Sequence, residues 1–285
     1  DEILTSGPPI ENTRKSSPPG TMLGSVQKEW WKKTMKESDA TWKIWGNQVM
    51  LCRMILNTHA VSDVPPWDLL MNADAWDGFN YERTELMAFL KTEGIRNVVA
   101  VTGDIHAHFA GYVMDNPYAD NPEPVMVEFT TAGVSSNSLF SFYEAPTRGN
   151  FPNEAVRGLV TYPSDDNNFV PNVNMAILWG AESAFAAYEK RGESTEAQIT
   201  AGEEKKIDLN HISYADTNAQ GFGMMSVGSE KINVSLSTIG RPTTDLGLTG
   251  PEIKTVTTFT VPKDEGDGPK IQDQVITGRK PFPFT

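Results

Sequence analysis

The sequence predicts a mixed α/β protein, and three features predict it. The run Asn97-Val-Val-Ala-Val-Thr102 is apolar, β-branched and bounded by turn residues, like a central strand buried on both faces. Helix-period patterns precede it, over 26–38 and over Tyr81–Lys91. The last third instead alternates with period two, over Gly221–Val227, Lys231–Ile239 and Lys254–Val261. That mixture is α/β or α+β, with strands dominating the C-terminal third.

Residues 1–24 carry Pro8, Pro9, Pro18, Pro19 and Gly20 and read as an irregular surface arm. Ser25 is placed to cap a helix over 26–38, with Val26, Trp30 and Thr34 on one face and Trp31 and Met35 beside it. Thr41–Trp45 alternates like a strand stopped by Gly46, and Val49–Leu56 reads as a second strand. Leu86, Phe89 and Leu90 give the next helix its apolar face, and Gly94 ends it. Val125–Thr131 is a further strand. Residues 145–172 read as loop, and Met175–Lys190 as one helix ended by Gly192. Gly228-Ser229 joins two late strands as a hairpin, and the Pro- and Gly-rich tail over 263–285 reads as extended. No internal repeat is present. The expected organisation is an arm over 1–24, one folded unit over 25–262 with a divergent or inserted stretch at 145–205, and the tail.

With 39% hydrophobic and 21% charged residues, a chain of 285 residues buries a full core rather than staying disordered. No stretch approaches the roughly 18 consecutive apolar residues that span a bilayer, so no transmembrane segment is expected. A net charge of −13 repels nucleic-acid backbones and excludes a general nucleic-acid binder. The same charge opposes a phosphate-ester substrate unless metal cations reverse the local field. The single cysteine, Cys52, lies in the apolar run Val49–Cys52, where a buried and inert thiol is expected. Asp1 follows neither an initiating Met nor a signal peptide, so the sequence reads as starting inside a processed or longer product.

The sharpest local signal is Val101-Thr-Gly-Asp104-Ile-His106-Ala-His108. A buried strand ends, a glycine lets the backbone turn, and a carboxylate and an imidazole follow two residues apart. On an extended segment such residues project to one side and converge on one ion. A carboxylate with a neutral imidazole suits a first-row transition metal. The other reading is an Asp that caps a turn and a His packed in a loop. His108 should share the side of His106, either touching substrate or packed behind the ligands. Asp77 in Trp76-Asp77-Gly78 is a further candidate near substrate, or stabilises a turn.

Several blocks together carry a family resemblance. Met22-Leu-Gly24, Gln27 with Trp30-Trp31, Ala40-Thr-Trp-Lys-Ile-Trp-Gly-Asn-Gln-Val-Met50, Asp74-Ala-Trp-Asp-Gly-Phe79, Glu82-Arg83, Leu86 and Thr102-Gly-Asp-Ile-His106 follow one another in the order seen in the PhoD family of alkaline phosphatases and phosphodiesterases. Val125–Ser136 and His211–Arg241 are similar to the later strands of that family. The resemblance implies the C-terminal half of a metallophosphoesterase-type two-sheet β-sandwich flanked by helices. It also implies an exported enzyme, secreted or periplasmic, that hydrolyses phosphate monoesters and diesters with ferric iron (Fe3+) and calcium (Ca2+). Asp104 and His106 match the family's Gly-Asp-x-His ligands, so they are the residues expected to be catalytic and metal-binding.

The family's other ligands come from an N-terminal half with a cysteine iron ligand, a Gly-Asp-x-x-Tyr segment and an Asp-His-Glu segment followed by asparagine. None of these is in the sequence. Cys52 stands in the wrong context, and Gln220-Gly221 replaces a histidine-glycine pair. The expectation is therefore half an active site, completed by an N-terminal chain of the same precursor or a companion subunit across a large apolar interface. In the tryptophan-rich segment, Trp30, Trp31, Trp42 and Trp45 are expected in the core, and Asn47 as a buried amide. Arg53 and Arg83 either contact phosphate or form internal ion pairs. Two further readings remain: a phospholipase D-type phosphodiesterase of the same family, and a non-catalytic structural subunit.

Overall fold

Val98–Thr102 is almost wholly buried because both of its faces meet apolar layers. Val98 and Ala100 face a core shared with helices, while Val99 faces a second core shared with another sheet. The structure, a computed structural model, describes residues 2–3, 10–11, 20–148, 154–164, 168–207, 211–241 and 250–284.

Sheet I has five strands: β1 (Lys43–Gly46), β2 (Val98–Thr102), β3 (His108–Met114), β4 (Pro124–Thr130) and β5 (Ile212–Asp216). Their spatial order is β5-β3-β4-β2-β1. β1, β2 and β4 run parallel, whereas β3 is antiparallel to β4, and β5 to β3. The C-terminal ends of β1, β2, β4 and β5 and the start of β3 therefore share one edge. Sheet II is an antiparallel meander of β6 (Gly221–Val227), β7 (Lys231–Ile239), β8 (Ile253–Pro262) and β9 (Gln272–Gly278). Phe129, Val127 and Tyr214 of sheet I meet Val234, Leu236 and Phe259 of sheet II. The result is a two-sheet sandwich with helices on the far side of sheet I, as expected for the α/β class.

On that far side lie α1 (Gly24–Glu37) and α2 (Asn80–Thr92), joined by Lys28 and Lys32 on Glu85. Trp31 of α1 packs on Trp45 of β1 with ring centroids 4.8 Å apart, and Trp45 meets Trp76 at 5.9 Å. The buried stripe of α1 is Trp31 and Met35, whereas Val26 and Trp30 point outward at 85% and 61% exposure. The expected core place of Trp30 is thus corrected. Ser25 does not cap α1 either. The N–H groups of Met22 and Leu23 go to the buried carboxylate of Glu82, and that of Gly24 goes to the Thr21 hydroxyl.

Val49–Leu56 is not a strand, although its composition allows one. The Leu51 and Cys52 N–H groups donate to the carboxylate of Glu128 on β4, and the Met54 N–H donates to Asp77. Side chains thus take the hydrogen bonds that a ladder would have supplied. Only Ile55–Asn57 pairs, with Asp68–Leu70, in a small sheet that also holds Glu2–Ile3 and Ile10–Glu11. Of the rest of the expected arm, residues 20–24 lead into α1 and the others lie outside the described residues.

The region read as loop over 145–172 contains α4 (Glu154–Val160) and a short ladder of Tyr162–Pro163 with Phe169–Val170. The single helix expected over Met175–Lys190 is two, α5 (Val173–Trp179) and α6 (Ala181–Glu189), broken at Gly180. Gly180 has φ of +100°, and a Cβ there would meet the Ile207 side chain at 2.8 Å. Two further helices, α3 (Leu139–Glu144) and α7 (Thr195–Glu203), were not expected. The tail over 263–285 supplies β9, whose carbonyls and N–H groups pair with β8 instead of with water.

Candidate functional site

The candidate residues sit beyond β2, on the edge where the parallel strands end. The chain between β2 and β3 is not extended. Asp104 and His106 both have left-handed backbone, with φ of 67° and 62°. Their side chains are therefore not aligned by the period-two projection expected of an extended segment, because a left-handed residue turns the chain back on itself. Both side chains nevertheless reach the surface: Asp104 is exposed, Ile105 buried and His106 half-buried.

His106 is fixed by the loop that follows β4. Its Nδ1 lies 2.7 Å from the Asn137 carbonyl, and its own carbonyl accepts the Leu139 N–H at 2.9 Å. A carbonyl oxygen only accepts, so Nδ1 carries a proton, and in the neutral ring the lone pair is then on Nε2. This is the tautomer that binds a cation through Nε2. The Phe142 ring lies 5.5 Å from the imidazole, centroid to centroid.

His108 does not share that side. It is fully buried at the start of β3, where Nδ1 accepts the Ala132 N–H at 3.0 Å and Nε2 faces the Ser237 carbonyl at 3.2 Å. Burial lowers its pKa to about 4, against the pull of the Ser237 and Thr130 carbonyls. Both ring nitrogens are engaged, so the substrate contact expected of His108 is corrected to a neutral bridge between the two sheets. Asp77 is likewise internal. Its carboxylate binds Arg83 Nη1 at 2.7 Å and the Met54 N–H, with both partners of the ion pair buried. It holds the loop beneath β4 and does not face substrate. Arg83 is thereby an internal ion-pair member, and Arg53 stacks over the Tyr118 ring at 4.1 Å. Asn47 is buried as expected, accepting from Trp76 Nε1 at 3.1 Å. Cys52 is buried, and burial beside Glu128 pushes its thiol pKa well up, which fits an inert group.

The structure adds residues that the sequence did not mark. Ser138 caps α3 and donates to Asn218 Oδ1 at 2.8 Å, while Arg241 Nη2 donates to the Ser138 hydroxyl at 3.2 Å. Gln220 is buried, and its amide donates to the Ser136 carbonyl. Next to it, a Cβ at Gly221 would lie 1.8 Å from the Ser237 carbonyl, so only glycine fits. These contacts lock the loops after β4, β5 and β7 around His106. A serine before the apolar pair Leu139-Phe140 is a legible cap signal. Nothing local marks Arg241 or Asn218, which meet Ser138 only through the fold. Among the described residues, no group of three or more His, Cys, Asp or Glu side chains could hold a metal ion.

A family model described as PhoD-like phosphatase matches residues 7–236. The chain belongs to the PhoD-like phosphatase family. Alkaline phosphatase D of Bacillus subtilis (strain 168) is 30% identical over 103 residues, which make up 36% of this chain and 16% of that protein. The solved structure of PhoD superposes with a TM-score of 0.52 at 18% identity, covering 93% of this chain and 37% of that one. That likeness is one of fold. This PhoD-like chain therefore spans about a sixth of the curated relative and little over a third of the solved one. Among the described residues no helix is long and apolar enough to cross a membrane.

Proposed function

We propose that this chain supplies the late ligands, Asp104 and His106, of the metal centre of an exported phosphoesterase acting on phosphate monoesters or diesters. The observation that carries the reading is the left-handed backbone at both residues, just beyond a central strand. Each non-glycine residue held there costs about 1 kcal/mol or more, and such strain gathers at functional sites. The tautomer of His106 supports it, since Nε2 is left as a donor of electrons. Family membership supports the reaction class.

Two donors do not complete a metal site, so the remaining ligands come from a companion polypeptide or another segment of the same product. By family resemblance the cations are Fe3+ and Ca2+. When bound, they supply charge neutralisation at the phosphoryl oxygens and a nucleophile active at neutral pH. Asp104 offsets the cationic charge, and His106 Nε2 fixes one coordination position. Arg241, steadied by Ser138, presents a guanidinium to the non-bridging oxygens from the same group of loops. Together these cations counter the net charge of −13 where the substrate enters.

The test is metal analysis of the native protein, with hydrolysis of p-nitrophenyl phosphate and bis-p-nitrophenyl phosphate. Asp104→Ala and His106→Ala are each expected to lose bound metal and about 10²–10³-fold of the rate. A folded Asp104→Ala protein that keeps both its metal and its rate would end the proposal.

A further inference from the structure

We infer that Phe142 determines specificity at this site, as a platform for the leaving group of phosphate esters whose alcohol is aromatic. The inference rests on the phosphoesterase reading above and narrows its substrate class.

α3 buries one face and exposes the other. Leu139, Phe140 and Glu144 are buried, and the Tyr143 hydroxyl donates to the Met71 carbonyl at 2.9 Å. At about 100° per residue these positions share one side of the helix, and Ser141 and Phe142 take the other. The outward face of a surface helix ordinarily carries polar residues. Phe142 is instead an aromatic with 51% of its surface exposed, and its ring belongs to neither apolar core. Packing of the fold does not call for it.

What the ring does meet is the imidazole of His106, with centroids 5.5 Å apart and planes inclined at 47°. Planes so inclined do not lie flat on one another, so the phenyl face stays open to a second ring. The loop before α3 holds the two residues in this relation. His106 Nδ1 lies on the Asn137 carbonyl, and the His106 carbonyl takes the Leu139 N–H at the start of the helix. A phosphoryl group bound at that imidazole therefore carries its ester substituent beside the phenyl ring.

A leaving group rich in hydroxyls would be read by hydrogen bonds, but neutral polar side chains of these loops are engaged with one another. Ser138 donates to Asn218 Oδ1 and the Gln220 amide donates to the Ser136 carbonyl, with Ser138 and Gln220 both buried. Arg241, on the Ser138 hydroxyl, suits a charged oxygen better than an alcohol. An aromatic alcohol needs no such partner. It gains an offset or edge contact with Phe142 of the kind that His106 already makes. The loop between β4 and α3 also exposes Val134, at 55%, which adds apolar surface to the segment that carries Asn137.

The test compares phenylphosphonate with methylphosphonate, which differ in the ring, by calorimetric binding to the native protein. Hydrolysis of p-nitrophenyl phosphate and glycerol 2-phosphate is followed alongside. Phe142→Ala is expected to raise the Kd of phenylphosphonate about 10-fold more than that of methylphosphonate, and to raise KM more for the aryl ester than for the glycerol ester. Phe142→Trp should restore both ratios. The position is exposed, so both variants should fold as the parent does. Hydrolysis that persists in Phe142→Ala with unchanged ratios overturns the inference and leaves the phosphoesterase reading standing. Equal losses for the two phosphonates overturn it as well, because Phe142 would then only support His106. A native protein that binds neither phosphonate and hydrolyses neither ester ends the phosphoesterase reading, and the inference with it.

Discussion

The two sides of the sandwich are finished differently. On the β5 side the helical layer and the inter-sheet core are closed: α5 packs against β5, and Asn174 accepts from both the N–H and hydroxyl of Thr217 while donating to the Phe282 carbonyl. Phe284 stacks on Tyr214 with ring centroids 5.4 Å apart, so the end of the chain closes the inter-sheet core there. On the β1 side, among the described residues, Val26 and Trp30 of α1, Ile44 of β1 and Val227 of β6 stay exposed. The difference teaches that the core of this chain is closed by its own late segments on one side, while apolar side chains on the other side stay in contact with solvent.

The strongest way to break that comparison is to remove core from the sealed region. Phe259 is 1% exposed, with Phe129 and Tyr214 rings at 5.5 and 5.6 Å. Phe259→Ala is expected to cost about 3–5 kcal/mol in urea unfolding, since transfer and cavity terms add. A cost below about 1 kcal/mol would show that the inter-sheet core is not what holds the fold.

A second prediction concerns Asp216, which pairs in register with His108 on the sealed side. Burial raises its pKa to about 6, with the Asn218 N–H, the Thr238 hydroxyl and the charge of Arg279 pulling the other way. The ordinary value is 3.8, so between about pH 4 and 6 the folded state binds a proton that the unfolded state does not. The penalty for an ionised Asp216 is therefore full above pH 6 and is relieved as pH falls through that window. Asp216→Asn should raise stability at pH 7 relative to pH 4 by on the order of 2 kcal/mol compared with the parent. An identical pH dependence in both proteins would refute it.

The smallest effect is expected on the open side. Val227→Ser and Ile44→Ser should each change the stability of the isolated chain by less than about 0.5 kcal/mol, because solvent already reaches both side chains. Losses near those of Phe259→Ala would mean that the region is covered within the chain itself, and the contrast between the two sides would vanish.

Part of this was legible before any coordinates. Asn97–Thr102 declared a strand buried on both faces, because unbroken β-branched apolar residues leave no polar face. Gly103 and the residues after it marked a candidate site, and the Trp31–Trp45 pair fell in the core as expected. Local pattern loses its meaning where side chains compete with the backbone. Val49–Leu56 has the composition of a strand, but Glu128 and Asp77, distant in sequence, took its N–H groups. Trp30 and Trp31 are neighbours of equal hydrophobicity, and only the position of α1 against β1 and α2 decided which one is buried.

Composition, period and motif order determined the class of the fold and the family, and singled out Asp104 and His106 as candidates, because these depend on local pattern. The hold of Asn137 on His106, the burial of His108 and the contact of Arg241 with Ser138 depend on segments far apart in the chain. Such contacts form only when the layers pack, so no local stretch of sequence encodes them.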